Sequence, residues 1–147
     1  MCYRILRLRG AAELARTLPN GEIAVRIIES YEDLRIPRTH EVYLERLIDY
    51  FKTYPKIERV LLFGSCAIGE ATQRSDMDLF LIGSDLTDDD EWEIAWNCPK
   101  LDEAEYISCD ILSGTHESYE RMSKVPGMVQ YAIELRGVDI SGLLQAR

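Results

Sequence analysis

The sequence predicts an α/β (α+β) domain, on three grounds. Residues 57–63, 76–82 and 106–112 are apolar runs of strand length. Between Thr39 and Pro55 the chain carries the apolar stripe of an amphipathic helix, and further helical signals follow the second and third strands. At 147 residues and 46% hydrophobic content, the chain is large enough to bury a real core around one such sheet.

In chain order, residues 1–38 carry the weakest signals and read as an N-terminal extension packed on the domain or on a partner. Within them, 11–18 suit a short helix ended by Pro19-Asn20-Gly21, and 22–34 a second with Ile23, Ile27 and Leu34 along one side. Ile36-Pro37 breaks whatever precedes it. The domain proper spans 39–147. Thr39 caps its first helix, where Leu44, Leu47, Ile48 and Phe51 repeat at i, i+3, i+4 and i+7. Pro55 marks the end of that helix, 57–63 forms the first core strand and 76–82 the second. Thr87 opens an acidic helix that runs through Trp92, Ala95 and Trp96 towards Pro99. The two Trp residues, four apart, are expected in core or interface packing rather than as a base-stacking platform. Residues 106–112 make the third strand. A helix beginning near Thr115 is broken by Pro126-Gly127, and 128–136 forms the last helix, stopped by Gly137. Residues 138–140 add an edge strand or trail off. There is no internal repeat and no low-complexity linker.

The chemistry concentrates in 61–82, LLFGSCAIGEATQRSDMDLFLI. An apolar strand stops at Gly64-Ser65, a small polar segment follows, and a second apolar strand carries Asp76 and Asp78. Strand side chains alternate faces, so both carboxylates emerge on the same side. Two acidic groups side by side are costly unless something positive lies between them. The natural occupant is a divalent metal with oxygen ligands, Mg²⁺ above all, which favours carboxylates together with substrate phosphates. Gly64 allows close backbone approach, and Ser65 offers a hydroxyl and an amide near a helix N-terminus, a site suited to phosphate oxygens. The chain contains its own control. Asp88 and Asp90 share the spacing of Asp76 and Asp78, but they lie in the run Asp88-Asp89-Asp90-Glu91 with no apolar strand around them. That pair reads as a solvated helix start.

At these residues the chain resembles the DNA polymerase β-like nucleotidyltransferase superfamily, whose signature is Gly-Ser, ten residues, then Asp-x-Asp. Here ten residues, 66–75, separate Ser65 from Asp76. The resemblance spans about 40–140 and implies a small mixed sheet flanked by helices. It implies that a third carboxylate comes from the neighbouring strand, and Asp110 in YISCDIL is the counterpart. Alternation sets Ile107, Cys109 and Ile111 on one face and Tyr106, Ser108, Asp110 and Leu112 on the other. An Asp within so apolar a strand needs a partner, because an unpaired buried charge is expensive. The resemblance further implies that Asp76, Asp78 and Asp110 hold one or two Mg²⁺ ions, that Gly64 and Ser65 cradle the β- and γ-phosphates, and that ATP is the donor. Many relatives carry basic residues just after Gly-Ser, where this chain has Cys66 and Ile68; Arg74, two residues before Asp76, is the candidate replacement.

With no room beyond the catalytic fold for a substrate domain, the resemblance is closest to minimal nucleotidyltransferases of bacteria and archaea. Several of these act as antitoxins that attach AMP to a tyrosine of a small helical HEPN-domain ribonuclease. The implied acceptor is then a protein hydroxyl. Two other readings stand beside it: transfer to a small molecule such as an aminoglycoside, and a catalytically idle binding subunit on the same fold.

Composition narrows the field. The net charge of −9 argues against a wide nucleic-acid grip. The charge is uneven: 1–40 hold seven Arg against five acidic residues, and 85–105 hold nine acidic residues and a single Lys. The latter patch reads as a solubilising face. Cys2, Cys66, Cys98 and Cys109 lack the paired spacing of metal or redox motifs, and Cys66 and Cys109 read as reduced core or pocket thiols. No apolar stretch approaches the roughly eighteen residues of a membrane span. The N-terminus is Arg-rich like a transit peptide but not Ser-rich, and its apolar residues are too interrupted for a secretory signal. The cytoplasm is the expected compartment.

Overall fold

A computed structural model describes residues 6–7, 16–17, 23–24, 26–102 and 106–145. Its centre is a mixed six-stranded sheet in the order β1-β4-β8-β5-β6-β7. The strands are β1 (Leu6–Arg7), β4 (Arg26–Ile27), β5 (Arg59–Phe63), β6 (Met77–Ile82), β7 (Cys109–Gly114) and β8 (Val138–Asp139). The remaining pair, β2 (Arg16–Thr17) and β3 (Ile23–Ala24), forms an antiparallel ribbon. Four helices flank the sheet: α1 (Arg38–Phe51), α2 (Asp88–Trp96), α3 (His116–Met122) and α4 (Val129–Arg136). The expected small mixed sheet with flanking helices is therefore present. Among the described residues, no helix is long and apolar enough to cross a membrane.

Strand alternation divides the core in two. Val60, Leu62, Leu79, Leu81 and Ile111 face the stripe Leu44, Leu47, Ile48 and Phe51 of α1, all buried, with Ile94 of α2 closing the layer. Leu61, Phe80 and Ile82 face the other way, onto Tyr119 of α3 and Ile133 of α4. Parity puts Asp78 on this second face, with Phe80 and Ile82. The α1 stripe matches its sequence pattern, but the helix begins at Arg38 after Pro37, and Thr39 lies inside its first turn. Helix α2 begins as expected. Thr87 accepts from the Asp90 amide while the Asp90 carboxylate accepts from the Thr87 amide, a capping box that satisfies two otherwise orphaned donors. Lys56 adds an ion pair to Asp90 at 3.0 Å. Asp88 and Asp90 are thus a helix start, as the sequence indicates. Thr115 caps α3 with its hydroxyl alone, which accepts from the Ser118 amide.

Several expectations need correction. The helix expected over 22–34 is absent from the described residues of that range: Ile23–Ala24 and Arg26–Ile27 are strands, and Tyr31–Asp33 is a single 3₁₀ turn. The β-branched cluster Ile23, Val25, Ile27 and Ile28 suits a pleated, half-buried surface better than a helix. Of the helix expected over 11–18, Arg16–Thr17 is strand instead, and the rest lies outside the described residues. The tail strand β8 is neither an edge nor a loose end. It lies between β4 and β5, parallel to one and antiparallel to the other. Gly137 permits that entry, since a methyl there would lie 2.7 Å from the Ile133 carbonyl oxygen. The third strand is displaced from 106–112 to Cys109–Gly114. Of the core or interface packing expected for Trp92 and Trp96, the core is excluded. They are 66% and 71% exposed and stack on each other, with ring centroids 5.2 Å apart and planes 7° apart.

Candidate active site

Strand register builds the site. Antiparallel pairing sets Phe63, the last residue of β5, opposite Asp78 of β6, and parallel pairing sets Asp78 beside Asp110 of β7. Phe63 leads into Gly64-Ser65-Cys66, a single 3₁₀ turn. Gly64 has a positive φ of 74°, which favours glycine. A side chain there would overlap the Asp78 carboxylate, so the turn and the acid are in direct apposition.

The carboxylates differ in exposure. Asp76 and Asp110 are exposed and Asp78 is half-buried. Burial, the Asp110 charge, a hydrogen bond shared with Asp110 and the Asp76 charge together push Asp78 up from 3.8 to about 6. Asp78 and Asp110 are thus in contact, and Asp76 lies near enough to add its field. Asp110 is on the open face of an edge strand, so the expectation that it needs a partner because it is buried does not hold. Its partner is Asp78, across the strand. Among the described residues, no three acidic, imidazole or thiol groups close into a ready-made metal cage.

The oxygen-only donor set still fits a hard divalent cation. Three carboxylates lie at one end of the β6–β7 pair, and one is already penalised by its neighbours. Mg²⁺ retains waters and binds through one or two carboxylates plus substrate phosphates, which suits an open site better than a closed cage. Arg74 is exposed on the loop before β6, and its amide donates to Thr72 Oγ1 at 3.3 Å.

Buried residues fix the scaffold behind the turn. The Arg26 guanidinium, 2% exposed, donates to the Ala67 carbonyl at 2.6 Å and so ties β4 to the Gly-Ser turn. His40 Nε2 donates to the Ser75 carbonyl at 2.7 Å, holding the residue before Asp76. The Cys66 thiol lies 3.4 Å from the Asp76 carbonyl oxygen. Burial, aided by the Asp78 and Asp76 charges, pushes that thiol up to about 11. It is a reduced pocket thiol, as expected, and Cys98 and Cys109 are also free; Cys2 lies outside the described residues.

A cleft of about 440 Å3 opens beside the turn, lined by Phe63, Gly64, Ser65, Ile68, Val129, Ala132, Arg136 and Gly137. Sequence reasoning missed Arg26, His40 and Arg136. The first two contact backbone of the turn and loop, a relation that leaves no mark on residue spacing. Arg136 arrives from the far end of the domain.

None of the curated proteins matches the chain. One solved structure it resembles, described only provisionally as a nucleotidyltransferase from Sulfolobus solfataricus, shares 17% identity over 58% of this chain and 81% of that one, with a TM-score of 0.39. A sequence-family comparison is more specific, covers just under half of the chain and supports nucleotidyltransferase-type activity. Residues 45–117, which contain Gly64, Ser65, Asp76, Asp78 and Asp110, match the family described as polymerase beta, nucleotidyltransferase.

Proposed function

We propose that the protein is a Mg²⁺-dependent nucleotidyltransferase that moves a nucleoside monophosphate, AMP from ATP, onto a hydroxyl. The observation that carries this reading is the contact of Asp78 with Asp110 directly against the Gly64 turn. Asp76, Asp78 and Asp110 would hold the metal, whose chemistry is to neutralise and orient the triphosphate. Gly64 and Ser65 present backbone to the β- and γ-phosphates. The acceptor oxygen attacks the α-phosphorus, the bond from that phosphorus to the bridging oxygen breaks, and pyrophosphate leaves. Asp110, exposed on β7, accepts the proton of the attacking hydroxyl. The protein contributes chiefly positioning and charge compensation.

The acceptor we propose is a tyrosine of a small helical HEPN-type partner, with an antitoxin role. The open position of Asp110 supports an acceptor that protrudes from another protein. A phenol ionises near pH 10, so modest assistance generates the nucleophile. The test combines the protein, ATP, Mg²⁺ and a co-encoded helical protein, followed by intact mass and peptide mapping. The expected result is AMP on a tyrosine, abolished by replacing that tyrosine with Phe. Transfer to an aminoglycoside and to no co-encoded protein would overturn the acceptor while leaving the chemistry in place.

A further inference from the structure

We infer that Arg136, at the C-terminal end of α4, is the cation that engages the β- and γ-phosphates of the nucleotide; this rests on the nucleotidyltransferase reading of the same site. A triphosphate approaching Gly64-Ser65 meets three carboxylates in a chain of net charge −9. Positive charge must come from the protein as well as from a metal. The residues after the turn do not supply it, because Cys66 and Ala67 are buried and Ile68 is apolar. Among the described residues, Arg136 is the one basic residue in the cleft that Gly64 and Ser65 line.

Its placement follows from the fold. Leu62 pairs with Val138 in the antiparallel β5–β8 register. Gly137, itself extended at φ −75° and ψ 171°, therefore continues alongside Phe63, and Arg136 precedes it at the level of the Gly64 turn. Helix α4 is held there from two sides. Ile133 is fully buried against the sheet, and Tyr119 of α3 donates to Glu134 at 2.7 Å. Among the described residues no carboxylate pairs with Arg136, although ion pairs occupy Arg38, Lys56 and Arg59. The cleft walls Phe63, Ile68, Val129 and Ala132 are apolar, which strengthens a guanidinium–phosphate contact relative to one in open water. A guanidinium also presents paired donors that match phosphate geometry.

The alternative is that Arg136 only complements the C-terminal end of its own helix. Calorimetric titration separates the two, using wild type, Arg136→Gln and Arg136→Lys with ATP and with AMP, each with Mg²⁺. The inference predicts that Arg136→Gln weakens ATP binding by about tenfold to a hundredfold. AMP binding and the ligand-free melting temperature stay as in wild type, and Arg136→Lys recovers part of the loss. Equal ATP affinity in wild type and Arg136→Gln would overturn it, as would equal losses for ATP and AMP. Wild type that binds no ATP would remove the nucleotidyltransferase reading, and this inference with it.

Discussion

Replacing Asp78 with Asn should make the metal-free protein more stable at neutral pH, because Asp78 is held against Asp110 with Asp76 nearby. In the folded protein its proton affinity rises from 3.8 to about 6. A raised carboxyl favours folding at low pH, where it is protonated, and that stabilisation is lost as pH rises through about 6. Taken at face value the shift caps the penalty at about 3 kcal/mol. The carboxylate is only half-buried, and solvent screening reduces this to about 1 kcal/mol. Asn carries no charge at any pH and keeps the shape. At pH 7.5 with chelator, Asp78→Asn should therefore melt about 3 °C above wild type. Near pH 4 the two should coincide, because the folded protein then holds Asp78 protonated and uncharged. Adding Mg²⁺ should reverse the order by stabilising wild type alone, by about 2.7 kcal/mol at one hundred times the dissociation constant. A melting difference independent of pH, or an Asp78→Asn protein less stable at pH 7.5, would refute the like-charge cluster.

Gly64→Ala should cost about 1–2 kcal/mol for its left-handed backbone, read by urea unfolding, and should displace Asp78 so that the Mg²⁺ stabilisation seen by melting disappears. Arg26→Ala removes a buried donor from the Ala67 carbonyl and opens a void beneath the turn, with an expected loss of about 3 kcal/mol in the same unfolding measurement. Changing Asp88 and Asp90 together to Asn dismantles the α2 cap and the Lys56 pair, so the melting temperature falls, while nucleotide transfer in a product assay keeps its wild-type rate.

The legible parts were those whose signal is local. The α1 stripe, the β5 and β6 runs, the Thr87 and Thr115 caps and the Gly-Ser to Asp-x-Asp spacing each state their own structure within a few residues. Residues 22–34 carry a partial helical period on a β-branched composition, and the sheet that decides between them includes β8, over a hundred residues later. The same distance hid the interior position of β8. Apolar spacing leaves the Trp pair open between core and interface packing, and the fold excludes only the core. Asp110 was identified by its strand, yet its exposure depends on β7 being the sheet's edge, which pattern alone does not give. Arg26, His40 and Arg136 act across long sequence separations on backbone or on a cleft, and no motif announces them.

The central claim is tested most directly by following which phosphate of ATP is transferred. The protein is incubated with Mg²⁺, a co-encoded helical protein and ATP labelled at either the α- or the γ-phosphorus. Label from the α-position alone should enter the acceptor with release of pyrophosphate, and Asp76→Asn and Asp78→Asn should abolish incorporation while remaining folded. Transfer of the γ-label, or undiminished transfer by Asp78→Asn, would contradict the account.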